Sequence, residues 1–161
     1  MMTMLNNFVR SNEENTKELL ECYKDAIRKY PDELWMNANE GKIVDLLNEN
    51  KVYHIAVQDE IIGWLAFKNF DSYSVLNGMY VRNAFQGTHL SRDMLKFYFN
   101  MCQGDIDCSV ISVPKEFYWS LNFYKKYGYE EISQSEVMAI SSYLTHRNQQ
   151  HDSILYKRFN D

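Results

Sequence analysis

Apolar residues recur at two spacings along this chain, and the spacing predicts the elements. Leu19, Leu20, Tyr23, Ile27 and Tyr30 return every three or four positions, the period of one helical face. Ser11-Asn12-Glu13-Glu14 ahead of them has the form of a capping box, with Ser11 covering a first-turn N–H and Glu14 reaching back. Pro31 stops that helix. Ile43, Leu46 and Leu47 share one face of a second helix over 42–49. Residues 51–57 and 61–70 are instead rich in apolar, β-branched and aromatic side chains. Gln58-Asp59-Glu60 between them is a tight turn, so the pair predicts an antiparallel hairpin. Residues 74–81 continue the meander, and Gly78 marks a bulge or a close backbone approach.

Farther along, Leu90, Met94, Phe97, Tyr98 and Met101 lie on one face of a helix over 90–101, which Gly104 ends. Residues 108–113 predict a short strand buried on both faces and broken by Pro114. The next helix spans 115–127, and Gly128 suits its left-handed cap. Two strands close the chain, one within 137–145 and one over 153–159, joined by the polar segment 146–152. With a short first strand at 8–10, the order is βααβββαβαββ. A meander followed by a strand–helix–strand crossover predicts an α/β (α+β) fold with a mixed sheet and helices on both faces.

One junction carries chemistry. Val81-Arg82-Asn83-Ala84-Phe85-Gln86-Gly87-Thr88-His89-Leu90-Ser91 joins the strand-like run 75–81 to the helix-like run 90–101. A glycine turn that opens a helix leaves several backbone N–H groups unpaired and pointing outward together. The helix dipole adds partial positive charge at the same spot. The combination is a phosphate cradle.

Composition narrows the partners. The 161 residues fit one domain over 1–161, and Gly and Pro are too scarce for a linker or a disordered chain. A net charge of −5 without a basic face argues against nucleic acid. No apolar stretch approaches the ~20 residues that span a bilayer, so no membrane partner is expected. The N-terminus has neither a basic start nor a long apolar core, which argues against a secretory signal. Cys22, Cys102 and Cys108 cannot all pair with one another and match no zinc spacing; reduced thiols in a cytoplasmic protein, with no metal, are the expectation.

The order of elements and two motifs together resemble the GNAT family, the GCN5-related N-acetyltransferases. The family's cradle has Gln or Arg, two residues, Gly, one residue, then Gly or Ala. Here the frame reads Gln86-Gly87-Thr88-His89-Leu90-Ser91, with His89 where glycine is usual and Ser91 at the small position. A later family motif, Asn-x-x-Ala-x-x-apolar-Tyr-x-x-x-Gly-Phe, is matched by Phe117-Tyr118-Trp119-Ser120-Leu121-Asn122-Phe123-Tyr124-Lys125-Lys126-Tyr127-Gly128-Tyr129. Tyr124 and Gly128 match, Ser120 stands for Ala, and Phe117 replaces the Asn. The resemblance implies a mostly antiparallel sheet of six or seven strands with about four helices. It also implies transfer of an acetyl group from acetyl-CoA, as co-substrate, to a primary amine.

The same resemblance distributes the roles. Gln86, Gly87, Thr88, His89, Leu90 and Ser91 would hold the coenzyme. A backbone N–H of Met79, Tyr80 or Val81 would stabilise the negative charge on the thioester oxygen. Tyr124 would protonate the leaving thiolate as general acid. Two departures bear on activity. Phe117 lacks the polar group that reaches the pantetheine arm in relatives. His89 crowds the cradle if its ring turns inward and leaves room for diphosphate if it turns outward. A GNAT-fold binding or regulatory module without transfer activity is therefore the alternative. No single base stands out: His54 is chiefly a hydrogen-bonded structural residue, and Glu33, Glu40 and Asp71 suit solvated surface. Tyr118 and Trp119 wall an acceptor groove or pack in the core. His146 and His151 sit five apart in a polar connection and lack further metal ligands. The acceptor stays open between a small-molecule amine and a peptide or protein amine, and a homodimer stays open as well.

Overall fold

The strand Glu60–Asn69 is buried without interruption from Ile61 to Phe67, because helices cover it on both faces. It is the longest strand of a computed structural model that describes residues 7–30, 38–140 and 152–159. Among these residues the order is β1 (Val9–Arg10), α1 (Thr16–Ile27), α2 (Glu40–Glu49), β2 (Lys51–Val57), β3 (Glu60–Asn69), β4 (Tyr73–Val81), α3 (Leu90–Met101), β5 (Cys108–Pro114), α4 (Tyr118–Lys126), β6 (Glu130–Glu131), α5 (Gln134–Ile140) and β7 (Asp152–Arg158). The seven strands form one mostly antiparallel sheet in the order β1-β2-β3-β4-β5-β7-β6. The chain forms two compact units: Lys68 and the residues before it with Asn77–Gln103, and Asn69–Leu76 with Gly104 and the residues after it.

In the first unit, alternation along β3 sorts the core. Trp64 and Ala66 meet Leu19 and Cys22 of α1 and Ile43 of α2, and the Trp64 indole N–H donates to the Leu19 carbonyl at 3.0 Å. On the opposite face Phe67 packs edge-on against Tyr98 of α3, with ring centres 5.3 Å apart. Gly63 lies where a Cβ would come within 3.1 Å of the Met94 sulfur and 3.2 Å of the Tyr80 carbonyl, so its lack of a side chain lets β3 and α3 close up. The β2–β3 hairpin pairs Val57 with Glu60 across the predicted turn. Gln58 and Asp59 both take positive φ there (52° and 65°), the twist that suits a two-residue hairpin.

In the second unit, β4 and β5 pair in parallel from Tyr73↔Cys108 to Leu76↔Ile111, and β7 pairs antiparallel along the whole of β5. Val75, Val110, Ile154 and Val137 of α5 make its apolar cluster. Tyr129, just past α4, donates its buried hydroxyl to Ser109 at 2.9 Å. Elsewhere in the chain as here, the thiols of Cys22, Cys102 and Cys108 are buried and form no disulfide. Burial pushes the Cys22 thiol up to about 12 and the Cys108 thiol upward as well.

Three expectations change. The capping box ahead of α1 is built by Asn12 and Asn15, one residue later than Ser11 and Glu14. The Ser11 hydroxyl instead sits 2.6 Å from His54 Nδ1. Of the segment 137–145, within which a strand is expected, Val137–Ile140 belongs to helix α5, the fifth α-helix among the described residues, and residues 141–145 lie outside them. The strand that pairs with β7 on that side is the two-residue β6, where both side chains are exposed glutamates.

Candidate functional site

The loop from β4 into α3 is tied to the last turns of α1. The Asn83 backbone N–H donates to the Asp25 carboxylate at 2.7 Å, and the Asn83 side-chain amide donates to the Asp25 carbonyl at 2.6 Å. Gln86 Nε2 donates to the Val81 carbonyl at 2.7 Å and to the Ala26 carbonyl at 3.2 Å, and its Oε1 accepts from the Lys29 ammonium. Gln86 therefore uses its side chain to hold the loop. Asp25 and Lys29 are 58 and 57 residues from their partners, so no local pattern announces them.

What the loop leaves open is backbone. Gly87 has φ +80°, and nothing lies within 4 Å of the place a Cβ would occupy. Thr88 Oγ1 takes the Leu90 N–H at 3.3 Å, and the first bond of α3 runs from Asp93 N–H to the His89 carbonyl at 3.0 Å. The N–H groups of Gly87, His89, Ser91 and Arg92 find no acceptor among the described residues. Four such amides at the positive end of a twelve-residue helix form a donor set for a phosphate or diphosphate. His89 is exposed and makes no capping bond, so its ring is not packed into the turn. Arg92, which the sequence reading missed, adds a cation in the first turn. It pairs with Asp93 at 3.5 Å, and its buried Nε makes no hydrogen bond among the described residues.

Met79, Tyr80 and Val81 form the end of β4 that feeds this loop. The Tyr80 ring turns toward α1, edge-on to Tyr23 at 4.7 Å and tilted against Trp64 at 4.8 Å. Strand alternation sends Met79 and Val81 to the other face.

In the second unit, Tyr124 lies near the end of α4 and is 5% exposed. Its position is set by the way the helix ends. Gly128 has φ +98°; its N–H bonds the Lys125 carbonyl at 3.2 Å, and the Tyr129 N–H bonds the Tyr124 carbonyl at 3.1 Å. This pair of bonds is a Schellman motif, and its usual apolar contact is the Tyr124–Tyr129 ring pair, 5.6 Å apart. At the other end of α4, Phe117 is the N-cap and offers no side-chain bond. An asparagine there would have capped the helix. Tyr118 and Trp119 are 54% and 47% exposed and lean on each other at 4.3 Å, which removes the core-packing alternative for them.

The other candidates scatter. Burial lowers the pKa of His54 and the Glu18 carboxylate opposes that shift. Asp71 and Glu40 are exposed, and Glu33, His146 and His151 lie outside the described residues. Among the described residues no three His, Cys, Asp or Glu side chains gather as a metal site, and no helix is long and apolar enough to cross a membrane.

No protein of curated function resembles the sequence closely enough to count as a relative. Solved structures resemble the fold. They include an acetyltransferase from Streptococcus agalactiae (TM-score 0.76, 14% identity, 94% of this chain and 98% of that one). PaiA N-acetyltransferase from Thermoplasma acidophilum, solved in complex with coenzyme A, gives 0.73 at 14% identity over 94% and 98% of the two chains. A GNAT-family acetyltransferase from Staphylococcus aureus gives 0.71 at 18% identity over 96% and 99%. Residues 48–131, from the end of α2 through the cradle to β6, match the model of the acetyltransferase (GNAT) domain, and the chain belongs to that family.

Proposed function

We propose that the protein is an N-acetyltransferase that moves an acetyl group from acetyl-CoA to a primary amine within a ternary complex. The set of four unpaired amides at Gly87, His89, Ser91 and Arg92 carries this reading, because it fits the diphosphate of the coenzyme without help from any glycine at position 89. PaiA N-acetyltransferase, with a similar fold, holds coenzyme A. Acetyl-CoA supplies the acetyl group as a thioester. The cradle amides and the Arg92 guanidinium bind the diphosphate. A backbone N–H of Met79, Tyr80 or Val81 stabilises charge on the carbonyl oxygen as the amine nitrogen forms its bond to carbon. The carbon–sulfur bond breaks, Tyr124 gives its phenolic proton to the departing thiolate, and the new amide nitrogen loses its proton to water.

The test joins binding to turnover. Acetyl-CoA at about a hundred times its dissociation constant should stabilise the fold by roughly 2.7 kcal/mol and raise the melting midpoint by about 5–10 °C. Tyr124→Phe should keep that rise while thiol release with an amine panel falls at least tenfold. Equal turnover removes Tyr124 from the chemistry. A thermal rise without thiol release from the unaltered protein leaves a coenzyme-binding module, and no rise at millimolar acetyl-CoA defeats both readings.

A further inference from the structure

A cavity of about 160 Å³ opens within the first unit, walled by α1, α2 and β4. Leu20 and Tyr23 come from α1, Ile43 and Leu46 from α2, and Tyr80 from the same stretch of β4 that supplies the backbone donor in the proposed reaction. The Tyr23 and Tyr80 rings meet edge to face and form one corner. Tyr80 reaches that position because residue 78 is glycine: a Cβ there would stand 2.7 Å from Tyr80 Cε2. Ala38, Asn39 and the exposed Lys42 complete the lining, so one amide and one cation stand among mostly apolar walls.

Size and charge then select an occupant. An apolar cavity of about 150 Å³ in a protein core holds one benzene ring. Edge-to-face contacts from two phenols favour an aromatic guest over an aliphatic one of equal volume. Lys42, in the lining, repels a second ammonium. Resting on the acetyltransferase reading, we propose that this cavity receives a single aromatic ring of the acceptor. The substrate class is then a primary amine carried a short methylene spacer from one ring, as in an arylalkylamine or the amino end of a peptide that begins with phenylalanine. Polyamines and lysine side chains should be poorer acceptors, because they would place a cationic or bare aliphatic chain in the ring's position.

The full-length protein with acetyl-CoA is assayed for thiol release on 2-phenylethylamine, a phenylalanyl dipeptide amide, ethylamine and spermidine. One of the two ring-bearing amines should exceed ethylamine and spermidine at least tenfold in kcat/KM, and which of the two leads identifies the source of the ring. Leu46→Trp and, from the facing wall, Leu20→Phe should each cut that preference at least tenfold, mainly through KM, while the thermal rise with acetyl-CoA persists and shows that the variants are folded. Spermidine or ethylamine matching the aromatic amines overturns this inference and leaves the acetyltransferase reading standing. So does an unchanged preference in both variants. Absence of the acetyl-CoA thermal rise in the unaltered protein brings down both.

Discussion

At Ser11 two partners compete for one hydroxyl. Read locally, Ser11 and Glu14 have the spacing of a helix cap. In the folded chain Ser11 closes on His54, 43 positions away, and Asn12 takes over the cap. An asparagine caps as well as a serine, so the local energies nearly balance and the distant imidazole decides. The consequence is a titration. Burial holds the His54 imidazole below its ordinary 6.5, so as acid is added the unfolded chain takes up a proton first. Stability from this residue is complete above pH 6.5 and is lost as pH falls from there through the depressed folded value. The melting midpoint should therefore drop as the pH falls below about 6.5. That drop should shrink in His54→Gln, which cannot titrate; parallel curves for the two proteins would assign it to carboxylates instead.

At the scale of elements, the ends of helices carry most of the information. Gly128 was legible because a glycine after an amphipathic run has one main use, and the Schellman bonds bear it out. Gly128→Ala forces a side chain into the left-handed region at a cost of about 1–2 kcal/mol, and the new Cβ would also displace the Lys157 ammonium 2.6 Å away. Denaturant unfolding should show that loss; an unchanged midpoint would mean that the turn relaxes without strain. Helix α5 had an equally clear signal that went unread. Ser133-Gln134-Ser135-Glu136 is a capping box: Glu136 Oε1 accepts the Ser133 N–H at 3.1 Å, and Ser133 Oγ accepts the Glu136 N–H at 3.3 Å. The bonds that its carboxylate accepts from the Ser133 N–H and from the Ser133 hydroxyl hold the exposed Glu136 carboxyl below its ordinary value. The short apolar run Val137-Met138-Ala139-Ile140 fits strand or helix equally by periodicity, and only the cap separates them. Strand β6 had no signal, since two glutamates carry little preference for a sheet and pair only because β7 is there.

For the molecule as a whole, legibility follows sequence distance. The loop into α3 and the Tyr124–Gly128 helix end are each built from neighbours within about a dozen positions, and the start of α3 at Leu90 and the end of α4 before Gly128 are both readable. The tethers from Asp25 and Lys29 and the ring-sized cavity join segments dozens of positions apart, and no motif marks them. Burial of the sulfurs has a further use. With all three cysteines enclosed and the Cys22 thiol raised to about 12, the native protein should give almost no colour with a disulfide reagent such as dithionitrobenzoate. The dye then counts only coenzyme set free at moderate temperature, and on heating its sudden response to three sulfhydryls per chain reports the melt itself. An immediate three-sulfhydryl response from cold, unheated protein would contradict that enclosure. One cuvette thus follows both turnover and collapse, without a label or an engineered probe.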